Sequence, residues 1–398
     1  MTSSIQFDEG TDGYKHGGYA PVKIGDVYNN RYQVLFKIGF GHFSTVWQCA
    51  IVDDPNAPHV ALKIQKSSAT YTAAALDEIT LLQVVNDKCS HNADNRLCQL
   101  LDTFTIETEN GEHHVMVFPL MGHSVLSLIR RYHHRGLSIS IVKHIMRQVL
   151  TGLSVLHDQA GIIHTDLKPE NILLATSPAS RSGKPYTDCR NPVTDIEAAD
   201  ALKRDIVALA RRKVCAHASS KRHDELVMGD FDVRIVDLGN ACFIDRHFCD
   251  VIQTRQYRSP EVILGSEYGP SADIWSAGCC LFELLTGNVL FEPMEVGGGG
   301  CPKDEDHLAL MFELFGRPEP TDIMGRHSKL FFNRRGQLKH IKTLKFISLT
   351  TMLTETYDMP TREAEEVAEV LSKMLAFNPS HRPTAAQLLE MEWFSEPQ

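Results

Sequence analysis

The segment His164–Asn171 combines an acid, a base and an amide at short, fixed spacing. It reads HTDLKPEN, with two isoleucines before it and an Ile-Leu-Leu run after it. Asp166 could accept the proton of an attacking hydroxyl, and Lys168 could neutralise charge on a transferred phosphoryl group. Asn171, five residues after Asp166, could face a metal ion. Because a polar cluster between apolar runs is a poor way to build a core, the segment indicates chemistry rather than packing.

Two further segments carry a charged residue at the end of a strand-like run. Val60–Lys63 reads VALK, which has the form of the element whose lysine holds the α- and β-phosphates of ATP. Val233–Asn240 reads VRIVDLGN, and its Asp-Leu-Gly fits the Asp-Phe-Gly element whose aspartate, here Asp237, binds magnesium.

A predicted helix after Lys63 supplies a carboxylate that could hold the lysine in place. Glu78 is the preferred partner, because it lies in helical register with Leu82 and Val85 on the packed face. Asp77 is the competing carboxylate, and Glu78 could also be a solvated helix charge.

A glycine-rich segment, Gly39–Val46, reads GFGHFSTV between two strand-like runs. Without Cβ atoms, its backbone amides could approach phosphate groups closely. The signal is weak in isolation, because Ser44 stands where a third glycine is usual and an ordinary hairpin turn is the alternative. The candidate ATP-binding residues here are Gly39, Phe40, Gly41, His42, Phe43, Ser44 and Val46.

The elements that would position these residues fall into two parts. From Tyr32 to Val117, short β-branched and apolar runs separated by turn residues predict an antiparallel sheet with one helix, 73–85. After Leu120 the pattern is helical, so we predict a small strand-rich lobe and a larger helical lobe with a boundary near 119–122. The predicted helices of the second part are 138–157, 272–285, 308–315 and 363–375.

Composition excludes several classes of protein. With 398 residues, 43% of them hydrophobic, the chain can bury a large core and is not intrinsically disordered. A formal charge of -10 disfavours general nucleic-acid binding. No run of about 18 uncharged apolar residues occurs, and the N-terminus does not resemble a signal peptide. The ten scattered cysteines indicate reduced thiols in a cytosolic or nuclear protein.

Two segments look like insertions, at about 175–230 and 297–345. The first contains a possible basic amphipathic helix, Ile196–Val214, and we interpret it as a surface insertion, with a docking or localisation element as the alternative. The second begins with four glycines, Gly297–Gly300.

These motifs, in this order over residues 32–394, resemble a eukaryotic protein kinase. Arg258–Glu261 resembles the Ala-Pro-Glu element, whose glutamate pairs in kinases with a distant arginine, here Arg382. Asp273 corresponds to the helix aspartate that ties down the catalytic-loop backbone.

Longer strings narrow the resemblance to the SR-protein kinase family, within the group of cyclin-dependent and mitogen-activated kinases. The strings are KIGD at Lys23–Asp26, GHFSTVW at Gly41–Trp47, DLGNAC at Asp237–Cys242, IQTRQYRS at Ile252–Ser259 and DEDHLAL at Asp304–Leu310.

The resemblance implies an α+β, bilobal kinase fold. Residues 1–31 would be an N-terminal lead-in, 32–118 the small lobe, and 119–398 the helical lobe with both insertions. It also implies transfer of the ATP γ-phosphoryl group to serine in Arg-Ser-rich splicing factors, with Asp166 and Lys168 as catalytic residues.

The resemblance implies further ligand contacts. Mg²⁺ would be held by Asn171 and Asp237. Ala61, Lys63 and Glu78 would line the ATP site. Adenine would lie beside Phe118, with hydrogen bonds to the Pro119 carbonyl and the Met121 backbone.

Regulation and substrate docking are also implied. Thr165 replaces the arginine that grips an activation-loop phosphate, and no Ser, Thr or Tyr lies between Asp237 and Gln253, so we expect a constitutively active enzyme. Asp306 and Glu313, about two helical turns apart, would line a groove that docks arginine-rich segments, although they could be solvated helix charges. Asn288 stands where relatives carry another acidic residue.

Three alternatives stay open: a related kinase with a non-SR substrate, a pseudokinase scaffold, and a nucleic-acid-binding module using the insertion helix. The expected partners are basic Arg-Ser-rich proteins, with no direct nucleic acid and no membrane. A monomer in the cytoplasm and nucleus is expected.

Overall fold

The computed structural model describes residues 10–89, 95–175, 231–295 and 301–395, which belong to two compact units. The first, the strand unit, comprises Met1–His123 and Leu173–Gly239, and the second, the helical unit, comprises Ser124–Ile172 and Asn240–Gln398. Ile196–Val214 and Gly297–Gly300 lie outside the described residues.

The strand unit is built on a six-stranded antiparallel sheet with the order β1-β2-β3-β4-β6-β5. The antiparallel sheet that the sequence predicts from Tyr32 to Val117 is confirmed. The strands are β1 (Val27–Tyr28), β2 (Tyr32–Phe40), β3 (Ser44–Ile51), β4 (Val60–Gln65), β5 (Asp102–Thr108) and β6 (Gly111–Pro119).

Burial along the strands follows their position in the sheet. At the start of β2, Tyr32 and Val34 are buried while Gln33 is exposed, which is the two-residue period of a strand with one face in the core. In the central strand β4 every residue except Lys63 is buried. Lys63 is therefore held by a rigid strand whose neighbours on both sides, β3 and β6, restrict its backbone.

The helix α1 (Ala69–Cys89) packs against this sheet through a stripe that includes Ala75, Ile79, Leu82 and Val85. Helical spacing of three to four residues accounts for the stripe. Glu78 lies on the same buried side and is 2% exposed, so the fold carries a carboxylate into the interior of the strand unit.

Residues before Tyr32 also belong to the structure of this unit. Ala20 is fully buried in the core cluster of the sheet, and β1 pairs with β2. The chain returns to the strand unit within β8 (Ile172–Leu174), which pairs with β9 (Val233–Ile235).

The helical unit contains nine α-helices among its described residues. A short antiparallel pair, β7 (Ile162–Ile163) and β10 (Cys242–Phe243), accompanies them. The helices are α2 (Val125–Arg131), α3 (Ile139–Ser154), α4 (Pro260–Leu264), α5 (Ser271–Thr286), α6 (Lys303–Phe315), α7 (Ser328–Phe331), α8 (Leu349–Glu355), α9 (Thr361–Met374) and α10 (Ala385–Leu389). The four long helices that the sequence predicts here are confirmed as α3, α5, α6 and α9, and the predicted α+β class is confirmed with them.

Helix α3 ends earlier than the sequence predicts. The α-helix stops at Ser154, and a π-helical turn, Val155–Ala160, continues it to Gly161, which adopts a left-handed conformation at φ 72°. By length and composition alone, Ile139–Ala160 could span a membrane, but 61% of its most apolar window is buried inside the protein. This is the position of a core helix.

Helix α5 is the central element of the helical unit, and all of its residues except Ser271 are buried. A helix that is apolar on every side belongs in a core. Gly278 permits close packing, because a Cβ there would lie 2.9 Å from the Leu375 side chain. Cys279 and Cys280 are buried free thiols, as the sequence indicates.

Candidate active site

An ion cluster in the strand unit brings together three of the predicted residues. Lys63 Nζ lies 2.7 and 2.9 Å from the two carboxylate oxygens of Glu78 and 3.0 Å from Asp237 Oδ1. Each residue comes from a different element: β4, α1 and the turn after β9. Asp77, the competing carboxylate, is exposed and takes no part in the cluster.

The charges of this cluster are strongly coupled. Burial opposes a charge on Lys63, but Asp237 and Glu78 outweigh it and raise the lysine pKa, so the side chain remains an ammonium. Burial raises the pKa of Glu78; the ammonium of Lys63 opposes this shift, and Asp237 adds to it. The carboxylate of Glu78 is thus held by side chains, by Lys63 and by a longer bond from Gln65 Nε2 at 3.3 Å.

The glycine-rich loop connects β2 to β3 and lies in the same unit. Its turn is closed by a hydrogen bond from the Gly41 N–H to the Ser44 carbonyl, at 2.9 Å. A Cβ on Gly39 or Gly41 would meet nothing within 4 Å, so both backbones face open space. Phe40, His42 and Phe43 are exposed, whereas Ser44 is buried.

The remaining candidate ATP contacts are also in the strand unit. Val46 pairs with Lys63 across β3 and β4, and Ala61 pairs with Phe118 across β4 and β6. Pro119 and Met121 lie at and after the end of β6, half-exposed. All the residues that the sequence assigns to the nucleotide, apart from the second metal ligand Asn171, therefore belong to one compact unit.

The helical unit holds the candidate catalytic acid–base group. Lys168 Nζ lies 2.7 Å from Asp166 Oδ2. The other oxygen of Asp166 accepts hydrogen bonds from the Thr254 hydroxyl at 2.7 Å and from the Thr254 N–H at 3.1 Å. Lys168 also donates to the Thr254 hydroxyl, at 2.9 Å, so the three side chains form a closed set of hydrogen bonds.

Thr254 is a site residue that the sequence analysis does not identify. It occurs there only within the string Ile252–Ser259, which supports the family resemblance. No local spacing links it to Asp166, 88 residues earlier. The contact depends on the path of the chain between them.

Asn171 is oriented as a metal ligand would require. Its Nδ2 donates to the Asp166 carbonyl at 3.0 Å, which fixes the amide and leaves Oδ1 as an acceptor. Carboxylate and amide oxygens are suitable Mg²⁺ ligands, and such sites usually complete their coordination with water and substrate phosphates. Asn171 in the helical unit and Asp237 in the strand unit each offer an oxygen donor of the kind that magnesium accepts.

Asp273 ties the catalytic-loop backbone to helix α5, as its predicted role requires. The fully buried carboxylate accepts from the His164 N–H at 2.7 Å, the Thr165 N–H at 2.9 Å and His157 Nε2 at 2.8 Å. Burial would raise the Asp273 pKa, but the hydrogen bonds and charge of His157, with those of His164, lower it. Thr165 adopts a left-handed backbone at φ 65°, unusual for a β-branched residue, and these bonds hold it there.

The predicted pair of Glu261 and Arg382 is present. Two parallel hydrogen bonds of 2.7 Å join the guanidinium to the carboxylate, with both side chains buried. The guanidinium also lies 5.0 Å from the ring centroid of Trp275 on α5. The pair connects the end of the activation segment to the C-terminal part of the helical unit.

The candidate docking residues lie on α6, and both carboxylates already accept backbone hydrogen bonds. Asp306 accepts from the Met294 N–H and Glu313 from the Lys345 N–H, each at 2.8 Å. Each side chain is half-buried. A third acid of this helix, Asp304, pairs with Arg255 at 2.5 Å.

Comparison with known proteins identifies the family of this chain. A family model described as a protein kinase domain matches residues 32–183 and 212–394. A serine/threonine-protein kinase SRPK from Physarum polycephalum is 38% identical over 98% of this chain and 92% of its own length. Protein kinase dsk1 of Schizosaccharomyces pombe is 35% identical over 98% and 85%, and the mouse (Mus musculus) SRSF protein kinase 3 is 33% identical over 99% and 92%. The chain belongs to the protein kinase family, within its SR-protein kinase branch, and is an ATP-dependent serine/threonine protein kinase.

Proposed function

We propose that this kinase phosphorylates serines in Arg-Ser-rich segments of splicing factors. The observation that carries the proposal is the acidic face of α6, in the same unit as Asp166. Asp306 and Glu313 give one face of this helix two partly exposed carboxylates, which suit a substrate rich in arginine, whereas Asp304 is already paired with Arg255. The name of the relative SRSF protein kinase 3 points to the same substrate class.

In the proposed reaction, Asp166 accepts the proton of the substrate serine as the serine oxygen attacks the γ-phosphorus. The bond from the γ-phosphorus to the β–γ bridging oxygen breaks, and ADP leaves. Lys168 neutralises charge on the transferred group, and Lys63 orients the α- and β-phosphates of ATP. Asn171 and Asp237 would hold Mg²⁺, which would neutralise charge on the phosphates. Because the transition state is loose and anionic, these residues act mainly by positioning and by stabilising charge.

The central test compares an Arg-Ser repeat peptide with a Ser-Pro peptide as substrates. We expect phosphorylation of the first at a much higher kcat/KM than the second. Asp166→Asn serves as the control for activity of this protein, and it should abolish both signals. A preference for the Ser-Pro peptide would instead support a related kinase with a non-SR substrate.

The docking role of α6 is best tested with variants that remove charge and keep shape. Asp306→Asn and Glu313→Gln each retain a carbonyl oxygen, so the bonds from Met294 and Lys345 can survive. Charge reversal would break these bonds as well and confuse docking with folding. The double variant should raise KM for a long Arg-Ser substrate several-fold more than for a short peptide.

A matched control removes two exposed carboxylates from another helix of the same unit. Glu363→Gln with Glu365→Gln on α9 changes the net charge by the same amount. We expect little change in KM for either substrate. An equal rise in KM for the long and the short substrate in the α6 variant would argue against docking.

Asn288 is the place where a different substrate preference could arise. Its Nδ2 donates to the Thr286 carbonyl at 3.2 Å, directly after α5. An acidic residue could not make this donation, so the loop and its charge differ from those of relatives with an acid here. We propose that this position weakens docking or alters processivity on long substrates.

We also propose that the kinase is active without phosphorylation of its activation segment. The Thr165 hydroxyl donates to the Asn240 carbonyl at 2.7 Å, so this position is linked to the segment without a phosphate. Gln253 adds bonds from Nε2 to the Ala272 carbonyl and the Ser276 hydroxyl, at 2.8 and 3.0 Å. Treatment with a phosphatase should leave activity unchanged, and a large loss would contradict the proposal. We then expect a monomeric enzyme whose activity is controlled by partners and by its distribution between cytoplasm and nucleus.

A further inference from the structure

The chain before the first long strand reaches the glycine-rich loop through one tyrosine. The Tyr19 hydroxyl donates to the carbonyl of Gly41 at 2.7 Å. Gly41 is the middle of the loop, where its own N–H closes the turn to Ser44. Tyr19 is only 6% exposed, although the loop that it contacts is open.

The backbone around Tyr19 is fixed on both sides. The Tyr19 N–H donates to the Gly13 carbonyl at 2.9 Å, and its own carbonyl accepts from Asn110 Nδ2 at 2.7 Å. The ring packs on Gly13, where a Cβ would come within 2.6 Å of it. The carbonyls of Gly17 and Gly18 accept bonds from the stretch between β4 and α1, at 3.0 and 3.1 Å. The ring is therefore anchored independently of the loop.

A second tyrosine and a lysine complete the arrangement. Lys66 Nζ lies 4.2 Å from the ring centroid of Tyr19 and 5.2 Å from that of Tyr71 on α1. Tyr71 approaches the loop tip, with its hydroxyl 3.3 Å from His42 Nε2 and its ring 5.7 Å from that of Phe43. The loop is thus contacted at Gly41 by Tyr19 and at its tip by Tyr71.

We propose that Tyr19 is a positioning residue for ATP, which acts by holding the glycine-rich loop in the conformation that receives the phosphates. A loop ordered in advance loses less conformational entropy on binding, so the affinity for nucleotide rises. Tyr19 lies outside the region matched by the kinase family model, which begins at residue 32. The inference rests on the ATP-dependent activity of the family and is independent of the Arg-Ser substrate.

The test removes only the hydroxyl. Tyr19→Phe keeps the ring on Gly13 and under Lys66, and it should raise KM for ATP about three- to ten-fold with kcat at saturating ATP nearly unchanged. The matched control is Tyr28→Phe, which deletes a hydroxyl bonded to Asp26 at 3.2 Å in the same unit. The control should leave both constants unchanged. Equal KM values for the two variants would overturn the proposal.

A second variant and a second readout separate positioning from general destabilisation. Gly13→Ala drives a methyl group onto the Tyr19 ring without altering the hydroxyl, and it should also raise KM for ATP. Amide hydrogen exchange at residues 39–46 should be faster in Tyr19→Phe without nucleotide and equal to the wild type at saturating ATP. Unchanged exchange in the loop, or acceleration spread through the sheet with a falling kcat, would contradict the proposal. If the kinase does not phosphorylate Arg-Ser peptides, the proposal about Tyr19 is unaffected, because it concerns ATP and not the protein substrate.

Discussion

Glu78 in the strand unit and Asp273 in the helical unit are buried carboxylates with opposite electrostatics. Their side chains are 2% and 0% exposed. Glu78 is held by the ammonium of Lys63 and lies near a second acid, Asp237, and its pKa is raised. Asp273 accepts two backbone N–H groups and one imidazole, and its pKa is lowered.

These different partners indicate which carboxylate supports the fold and which can change its contacts. Backbone donors around Asp273 cannot leave it unless the catalytic loop unfolds. The Glu78–Lys63 contact joins two side chains, and rotation about single bonds can break it. We therefore expect Asp273 to contribute mainly to stability and Glu78 mainly to activity, and four substitutions test this division.

The largest effect is expected from Asp273→Asn. The amide retains one acceptor oxygen, while its NH₂ group faces a donor, so at least one buried N–H loses its partner. We expect a loss of about 3 kcal/mol in the free energy of unfolding, with a large loss of kcat. Denaturant unfolding monitors stability, and Glu365→Gln, an exposed acid in the same unit, is the control. A loss of unfolding free energy below about 0.5 kcal/mol would contradict the expectation that Asp273 contributes mainly to stability.

The next effect is expected from Glu78→Gln. The amide can still accept a bond from Lys63 but no longer pairs with its charge, so phosphate positioning suffers. We expect kcat/KM to fall about 100-fold, while stability changes little because the cost of burying a carboxylate also disappears. Asp77→Asn, the exposed neighbour on α1, should change neither quantity. A stability loss as large as that of Asp273→Asn would show that both carboxylates contribute mainly to stability.

Acid sensitivity of the helical unit provides a third test, through His307 on α6. This fully buried histidine lies 5.2 Å, ring to ring, from Phe291. Burial, with the charges of Arg255 and Arg258, lowers its pKa to about 3. The unfolded chain binds a proton near pH 6.5 and the folded protein does not, so stability falls as the pH drops below about 6.5.

The expected slope is about 1.4 kcal/mol per pH unit between pH 6 and pH 4.5. This window lies above the range in which Asp273, with its lowered pKa, is protonated. His307→Leu should flatten the slope, as measured by denaturant unfolding at a series of pH values. The same slope in wild type and variant would mean that other groups cause the acid sensitivity.

The smallest effect is expected from Thr165→Val, which keeps the side-chain shape and removes the hydroxyl bonded to the Asn240 carbonyl. We expect a loss of about 1 kcal/mol in stability and a modest fall in kcat, because the carbonyl loses a donor. The backbone bond from Thr165 to Asp273 remains. A fall in kcat as large as that of Glu78→Gln would place Thr165 among the residues that control activity.

Local patterns were enough to predict much of the fold and of the candidate site. The short β-branched and apolar runs predicted the sheet, and the helical spacing of apolar residues predicted α1. The register of Glu78 with Leu82 chose it over Asp77 as the partner of Lys63. Helix ends were less predictable. The π-helical turn after Ser154 brings His157 to Asp273, and this depends on a partner 116 residues away.

From the amino-acid sequence alone we could identify the residue types of the candidate site, because an acid, a lysine and an amide lie at short spacing within one loop that resembles the catalytic loop of kinases. No sequence pattern indicates that Thr254 bonds to Asp166 or that Tyr19 bonds to Gly41. Both contacts join segments that are far apart along the chain and carry no shared period. Their geometry follows from the packing of whole elements, because burial brings distant segments together.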